Sequence, residues 1–306
     1  MLRKFVFLAA MALTASAQTR LVANVGNFIH DVSDVDRSLR FYRDVIGMDA
    51  PRPAGDWQTT DGILQMYDAI GGKFRVGNAQ IPGSPMRVEL VEFQGVERTP
   101  VQRPWGTAGT SILMLTVTNL APVEERVKSS NTPVLMKTAK ACDGQGLIVA
   151  DPDGFAVMVV ERGTAAPGAT SNFTRVRFGY LVSGDAIAKG PFAALGLEAV
   201  TPSPTCQPVE EDLLGSRSSI VTLPGGFEIW LAKGKAPATQ TVVRPRDPGA
   251  AVLRFAVSDT DAAVQALAKA QIKVVSAGAA IQTLAPGGLR AAILGAPDSL
   301  LIQVVK

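Results

Sequence analysis

"NFIHDVSDVDRSLRFYRDVIGMDA" occupies residues 27–50 and reads as an apolar strand that ends at Val32 and runs through a short polar stretch into a helix. Asp34 is placed to accept from the free amides of the first helical turn. Val35, Leu39, Tyr42 and Ile46 follow at helical spacing and make one apolar stripe. Gly47 then supplies a left-handed stop. The stretch also holds His30, the chain's single histidine. A histidine just before such a helix entry poses the question of a metal ligand.

The pattern returns three times, and a period of this kind takes precedence over any local reading. LMLTVTNLAPVEERVKSSNTPVL starts at Leu113, FGYLVSGDAIAKGPFAALGLEAV at Phe178 and LRFAVSDTDAAVQALAKAQIKVV at Leu253. Val32, Val117, Val182 and Val257 align as the ends of the four first strands. In the fourth unit Asp259 takes the capping place, and Ala263, Leu267 and Ala270 form the stripe. The third unit carries Gly184, Gly190 and Pro191, which predict a short or distorted helix. After each helix come apolar or alternating runs such as KFRVGNAQI and MRVELVEF. Asp153-Gly154, Pro224-Gly225 and Pro297-Asp298 punctuate three of them as hairpin turns. Each unit is therefore a strand, a helix and a meander of three strands, an α+β unit of βαβββ type. Gly/Pro-rich links separate the units, and residues 163–173 divide a first domain, 21–162, from a more divergent second one, 174–306. Consecutive units are expected to pair, each pair bending an open, barrel-like sheet around a cavity, the default place for a ligand.

At 306 residues, 47% hydrophobic and 19% charged, the chain suits two folded domains with sizeable cores. Residues 1–17 read as a secretory signal peptide. They comprise a basic start with Arg3 and Lys4, an apolar run FVFLAAMAL too short to span a bilayer, and Ala15-Ser16-Ala17 as the cleavage pattern. The mature protein is then expected to be exported, to the periplasm or the extracellular space, with no membrane attachment. Its net charge would fall from +3 to +1, and no Lys/Arg cluster offers nucleic acid an electrostatic footprint. Cys142 and Cys206 lie on opposite sides of the linker and form either an interdomain disulfide or two free thiols.

VSDVDRSLRFYRDVIGM (residues 32–48) resembles the opening signature of the vicinal oxygen chelate superfamily, which includes glyoxalases, bleomycin-resistance proteins and extradiol dioxygenases. DPDGFAVMVVE (residues 151–161) is similar to its closing strand. The resemblance spans all four units, more strongly in the first two, and implies the fold far more sharply than it implies a chemistry. In metal-using members the ligands come from first and last strands, the first-strand ligand five positions before the anchor valine. That pattern falls on Asn27, Glu89, Ile112 and Met158 in the first pair of units, and on Arg177, Glu228, Val252 and Gln303 in the second.

Neither set suits a metal. Zn²⁺, Fe²⁺ and Mn²⁺ want several imidazole or carboxylate donors converging on one point. Ile112 and Val252 offer no donor, and Arg177 would repel a cation. No cofactor is expected, with a divalent metal as the alternative should the ligands lie elsewhere. His30 lies three residues past Asn27, so alternation turns it to the helix side, where it packs or hydrogen-bonds near Asp31 or Asp34. A bulge would turn it into the cavity as an acid or base. Glu89 and Glu228 are candidates for a ligand contact or a general base, or else structural carboxylates. Trp57, Tyr67, Trp105 and Trp230 line cavities or fill the core.

Three functions follow. The first is a metal-independent small-molecule binder with Asn27 and Glu89, or Arg177, Glu228 and Gln303, as polar fixtures. The second is a lyase, isomerase or oxidoreductase that uses a metal or a base at Glu89 or His30. The third is an interaction module without a working cavity. A homodimer is compatible with all three.

Overall fold

The computed structural model describes residues 21–141, 144–163, 171–204, 206–237, 242–284 and 288–306. The expected leader 1–17, residues 164–170 of the expected linker, and Cys142 lie outside them. Cys206 is disulfide-bonded.

The first unit contains β1 (Val22–Asp31), α1 (Val35–Arg40) continuing as one π-helical turn (Phe41–Ile46), α2 (Asp61–Met66), β2 (Lys73–Gln80) and β3 (Arg87–Gln94). The second contains β4 (Ser111–Val117), α3 (Ala121–Ser129), β5 (Val134–Ala141), β6 (Gly144–Ala150) and β7 (Ala156–Glu161). β8 (Phe173–Val182), α4 (Asp185–Ala194), β9 (Ala199–Val200), α5 (Val209–Leu214), β10 (Ser218–Thr222) and β11 (Glu228–Lys233) make the third. The fourth has β12 (Ala251–Val257), α6 (Thr260–Lys269), β13 (Lys273–Val274), β14 (Gln282–Thr283), β15 (Arg290–Gly295) and β16 (Leu301–Val305).

The local signals act as their chemistry dictates. Asp34 accepts from the Arg37 amide at 3.0 Å and Asp259 from the Ala262 amide at 3.0 Å. Gly47 stops the first helix at φ 91°. Val35, Leu39, Tyr42 and Ile46 are buried. Two expectations need correction. The third helix is not short: it runs ten residues with Pro191 inside, which costs it only the bond that a residue 191 amide would make to the Ile187 carbonyl. The second strand of the first unit is reduced to isolated bridges, Asp49 with Gln80 and Gln58 with Phe74.

Two eight-stranded open sheets result. Within every unit the last strand lies parallel to the first: β3 on β1, β7 on β4, β11 on β8 and β16 on β12. The first strands then pair antiparallel at the sheet centres, β1 with β12 and β4 with β8. The first sheet thus joins units one and four, and the second joins units two and three, where consecutive pairing had been expected. Consecutive units meet through their helices. Arg126 of α3, for example, donates to the carbonyls of Val45 and Ile46 at 3.0 Å each, at the end of the first unit's helix. One apolar core fills the space between the helix-bearing faces of both sheets.

His30 sits in that core. Its ring lies 4.6 Å from the Phe155 ring, its Nδ1 is 3.1 Å from the Ala250 carbonyl and its Nε2 is 2.7 Å from Asp151. The partner is Asp151, not the neighbouring Asp31 or Asp34. Both ring nitrogens face acceptors, so the ring must be an imidazolium. Burial pushes its pKa down, but the charge and hydrogen bond of Asp151 outweigh that and leave it raised. Asp151 in turn accepts from the amides of Asp153 and Phe155. A raised folded pKa contributes stability that is complete below the unfolded value of about 6.5 and is lost as pH rises through the folded one. The unfolding free energy should therefore fall over that window, and His30→Gln should remove the slope. Asp151→Asn should cost about 3–5 kcal/mol by stranding a buried charge; denaturant titrations across pH measure both effects.

Candidate functional site

Strand alternation gives each sheet a face turned away from the shared core, the first and second bowls. In the first bowl the alternate residues are Asn27, Ile29 and Asp31 of β1, Glu89, Val91 and Phe93 of β3, Val252 and Arg254 of β12, and Leu301 and Gln303 of β16. Leu64 and Met66 of α2, with Tyr67 just after it, pack on the apolar members of this face. In the second bowl Ile112, Met114, Met158, Val160 and Trp230 lie under Val209, Leu213 and Leu214 of α5. α2 and α5 occupy the same point of units one and three, ahead of the third strand, so alternate units carry a short helix that covers a bowl. These covers went unrecognised in the sequence because each is only six residues long and neither shows a capping side chain.

An arginine stands where the central strands of the first bowl converge. Arg254 donates to Glu89 at 3.1 and 3.3 Å and to Gln303 at 2.5 Å. The Gln303 amide nitrogen is 2.8 Å from the Met66 sulfur. Asn27 lies between Glu89 and Arg87: one amide orientation donates to Glu89 at 3.3 Å, and the other, better matched, accepts from Arg87 at 2.8 and 3.1 Å. A β-carbon on Gly26 would come within 2.7 Å of the Arg254 stem, so the glycine clears its path beside the bulge in β1. The ion pair is partly open to solvent, with side-chain exposures of 22% for Arg254 and 15% for Glu89.

Deeper in the same bowl, Asp31 and Tyr67 are buried, and neither the two carboxylate oxygens nor the phenolic hydroxyl meets a hydrogen-bond partner. Burial, reinforced by the charge of Glu89, holds the Asp31 pKa well above the ordinary carboxylate range, with Arg98 opposing. Burial also raises the Tyr67 pKa, with the charges of Asp31 and Glu89 adding to it. Both groups are thus biased towards their protonated forms.

The second bowl is sealed. Arg177, 2% exposed, bonds Glu210 of α5 at 2.6 Å and Thr116 at 2.8 Å and stacks 5.1 Å over the Trp230 ring. Glu228 accepts from Trp230 at 2.9 Å and from Arg175 at 2.7 Å. Arg177 and Glu228 therefore flank one tryptophan, while Gln303 belongs to the other sheet, so the expected trio does not assemble. The expected sets exchange members: Asn27 and Glu89 share a bowl with Val252 and Gln303, Ile112 and Met158 with Arg177 and Glu228. His30 lies on the opposite face from Asn27.

Neither bowl fits a divalent metal. In the first, Glu89 is the carboxylate at the convergence point and is already paired with a guanidinium. In the second, the first-strand positions hold Ile112 and Arg177. Among the described residues no three His, Cys, Asp or Glu side chains gather as a metal would need.

Two consequences are measurable. Gly26→Ala should displace Arg254 and open the pair with Glu89, costing about 1–3 kcal/mol as an overpacked site, read by thermal unfolding. Asp31, with its folded pKa raised, contributes stability that is complete below the unfolded carboxyl value of about 4 and is lost as pH rises through the folded one. Asp31→Asn should therefore flatten the stability profile from about pH 4 upwards, where wild type falls.

Residues 31–159 match the model of the Glyoxalase/Bleomycin resistance protein/Dioxygenase superfamily. No curated protein matches the sequence. Glyoxalase I from Zea mays superposes with a TM-score of 0.61 at 14% identity, over 94% of this chain and 92% of its own. A dioxygenase from Bacillus subtilis, itself assigned only provisionally, superposes with a TM-score of 0.58 at 14% identity, over 94% of this chain and 86% of its own. Identities this low speak for the fold alone. Residues 31–159 thus match the glyoxalase/bleomycin resistance/dioxygenase superfamily by sequence, and the chain across its described length shares the fold of glyoxalase I.

Proposed function

We propose that this chain is an exported protein that binds a small molecule in the first bowl without a metal ion. The observation that carries the reading is Arg254, held between Glu89 and Gln303 at the point where the central strands converge. A guanidinium fixed there by two partners offers directed donors to an anionic or polar ligand and repels a cation. Arg87 stands at the same rim, so the pair of arginines outweighs Glu89 and favours a carboxylate or similar anion. The partly exposed rim of this bowl distinguishes it from the second, where Arg177 and Glu210 are closed off. Export is supported by the leader-like residues 1–17 and by the disulfide at Cys206, which suits an oxidising compartment.

A second reading, an enzyme that works with carboxyl groups in place of a metal, draws on Asp31. Asp31, buried and biased towards its protonated form, shares a face of the sheet with Glu89, the pairing of a general acid with a base.

The binding reading is tested with a panel of small carboxylates screened by ligand-observed NMR against wild type, Arg254→Met, and the double variant Glu89→Gln/Arg254→Met, which removes both charges together. Carboxylates that bind wild type should bind either variant at least about ten times more weakly, the loss of one charge-assisted contact. Arg175→Ala, at an exposed position of β8 in the other sheet, should leave them unchanged. Binding that survives in both Arg254 variants would overturn the assignment.

A further inference from the structure

The deep end of the first bowl contains two polar groups that the protein itself leaves unanswered. The Asp31 carboxyl and the Tyr67 hydroxyl are each at most 2% exposed, and among the described residues neither has a hydrogen-bond partner. Buried polar groups in folded proteins almost always find one, and an exception calls for an explanation. Asp31 is not half of an ion pair among the described residues: Arg98 acts on it without bonding its carboxylate oxygens, and Glu89 and Asp247 oppose that charge. Nor does it cap a helix, a role that falls to Asp34.

The strand register fixes where this pair lies relative to the arginines. Ile29 is opposite Glu89 and Asp31 is opposite Val91, so Asp31 sits two residues along the same face from the Glu89 row. Two residues of extended chain span about 7 Å. Between the two ends the face is apolar, with Ile29 and Val252 buried. The bowl therefore offers, in line, the Arg254 guanidinium held at Glu89, an apolar stretch, and a hydroxyl and a carboxyl that can donate and accept. Met66, whose sulfur touches Gln303, stands over the middle. A thioether on a flexible, unbranched side chain is the group most readily moved aside by a ring or short alkyl chain.

Resting on the binding reading above, we propose that the first bowl selects a small carboxylate with a hydroxyl or carbonyl oxygen about 7 Å from the carboxylate across an apolar spacer, the oxygen being held by Asp31 and Tyr67. The carboxylate lies against the Arg254 guanidinium at the Glu89 row, the spacer displaces Met66, and the remote oxygen supplies the hydrogen bonds that Asp31 and Tyr67 lack. Para-hydroxybenzoate has these dimensions. Benzoate has the same charge and ring without the remote oxygen.

The test compares the two compounds by calorimetry on wild type, Tyr67→Phe, Asp31→Leu and Met66→Ala. Wild type should bind para-hydroxybenzoate at least tenfold more tightly than benzoate. Tyr67→Phe and Asp31→Leu should shrink that ratio towards one and leave benzoate affinity within about twofold. Both should unfold at or above the wild-type temperature, since each removes a polar group that has no partner. Met66→Ala should tighten both compounds. An undiminished ratio in Tyr67→Phe and Asp31→Leu would overturn the subsite, as would failure of both compounds to bind wild type. If other carboxylates still bind through Arg254 in either case, the bowl stands and only this selectivity falls. If benzoate and para-hydroxybenzoate bind equally in Arg254→Met and wild type, the bowl itself is wrong.

Discussion

Every unit of this chain begins with a strand that has two edges, and its own last strand covers one of them in parallel. The other edge must find a partner, because an exposed row of amides and carbonyls is an invitation to aggregation. The antiparallel seams of β1 with β12 and β4 with β8 meet that need. All else follows from these two seams. They join the outer units in one sheet and the inner units in the other, leave the helices to pack between the sheets, and decide which first-strand and last-strand side chains share a bowl. Arg254 reaches Glu89 only because the seam brings the fourth unit against the first.

The back-to-back packing is fastened at equivalent points. Ser33, just past the first strand of unit one, donates from its amide and hydroxyl to Asp153 in the closing turn of unit two. Ser183 of unit three does the same with Asp298 in the closing turn of unit four. His30 with Asp151 has a counterpart in Tyr180, whose hydroxyl donates to the Asp298 carbonyl. Units related by repetition have kept the position of the fastening and changed its chemistry, from a buried ion pair to a neutral hydrogen bond. The histidine thus belongs to the frame that holds the bowls.

Local structure was legible because it is local. Asp34, Gly47 and the Val35–Ile46 stripe declare a helix within one turn of themselves, and the repeat declares the fold. The pairing of units was not legible, since each repeat presents the same edges and a periodic sequence does not say which copy meets which. That ambiguity scattered the site. Gln303 was grouped with Arg177 and Glu228 when it belongs with Asn27 and Glu89. The ligand spacing pointed to Val252, whereas Arg254, one step along the same face, is the residue that reaches Glu89. Asp31 drew attention only as a neighbour of His30. What singles it out is the absence of any partner, a property of three-dimensional surroundings that spacing does not encode.

Both bowls hold an arginine tied to a carboxylate, Arg254 with Glu89 and Arg177 with Glu210. In the sealed bowl the pair is best understood as structural. In the open one it is the charge that the proposed ligand would meet, and it stands on the ground a metal would need. The most direct test is the metal content of the protein purified without chelator and then titrated with Zn²⁺, Mn²⁺ and Fe²⁺. Substoichiometric metal, with no change in unfolding temperature on addition, is the result this arrangement predicts. One tightly held ion per chain, lost on Glu89→Gln, would contradict it and show that Arg254 gives way to a metal.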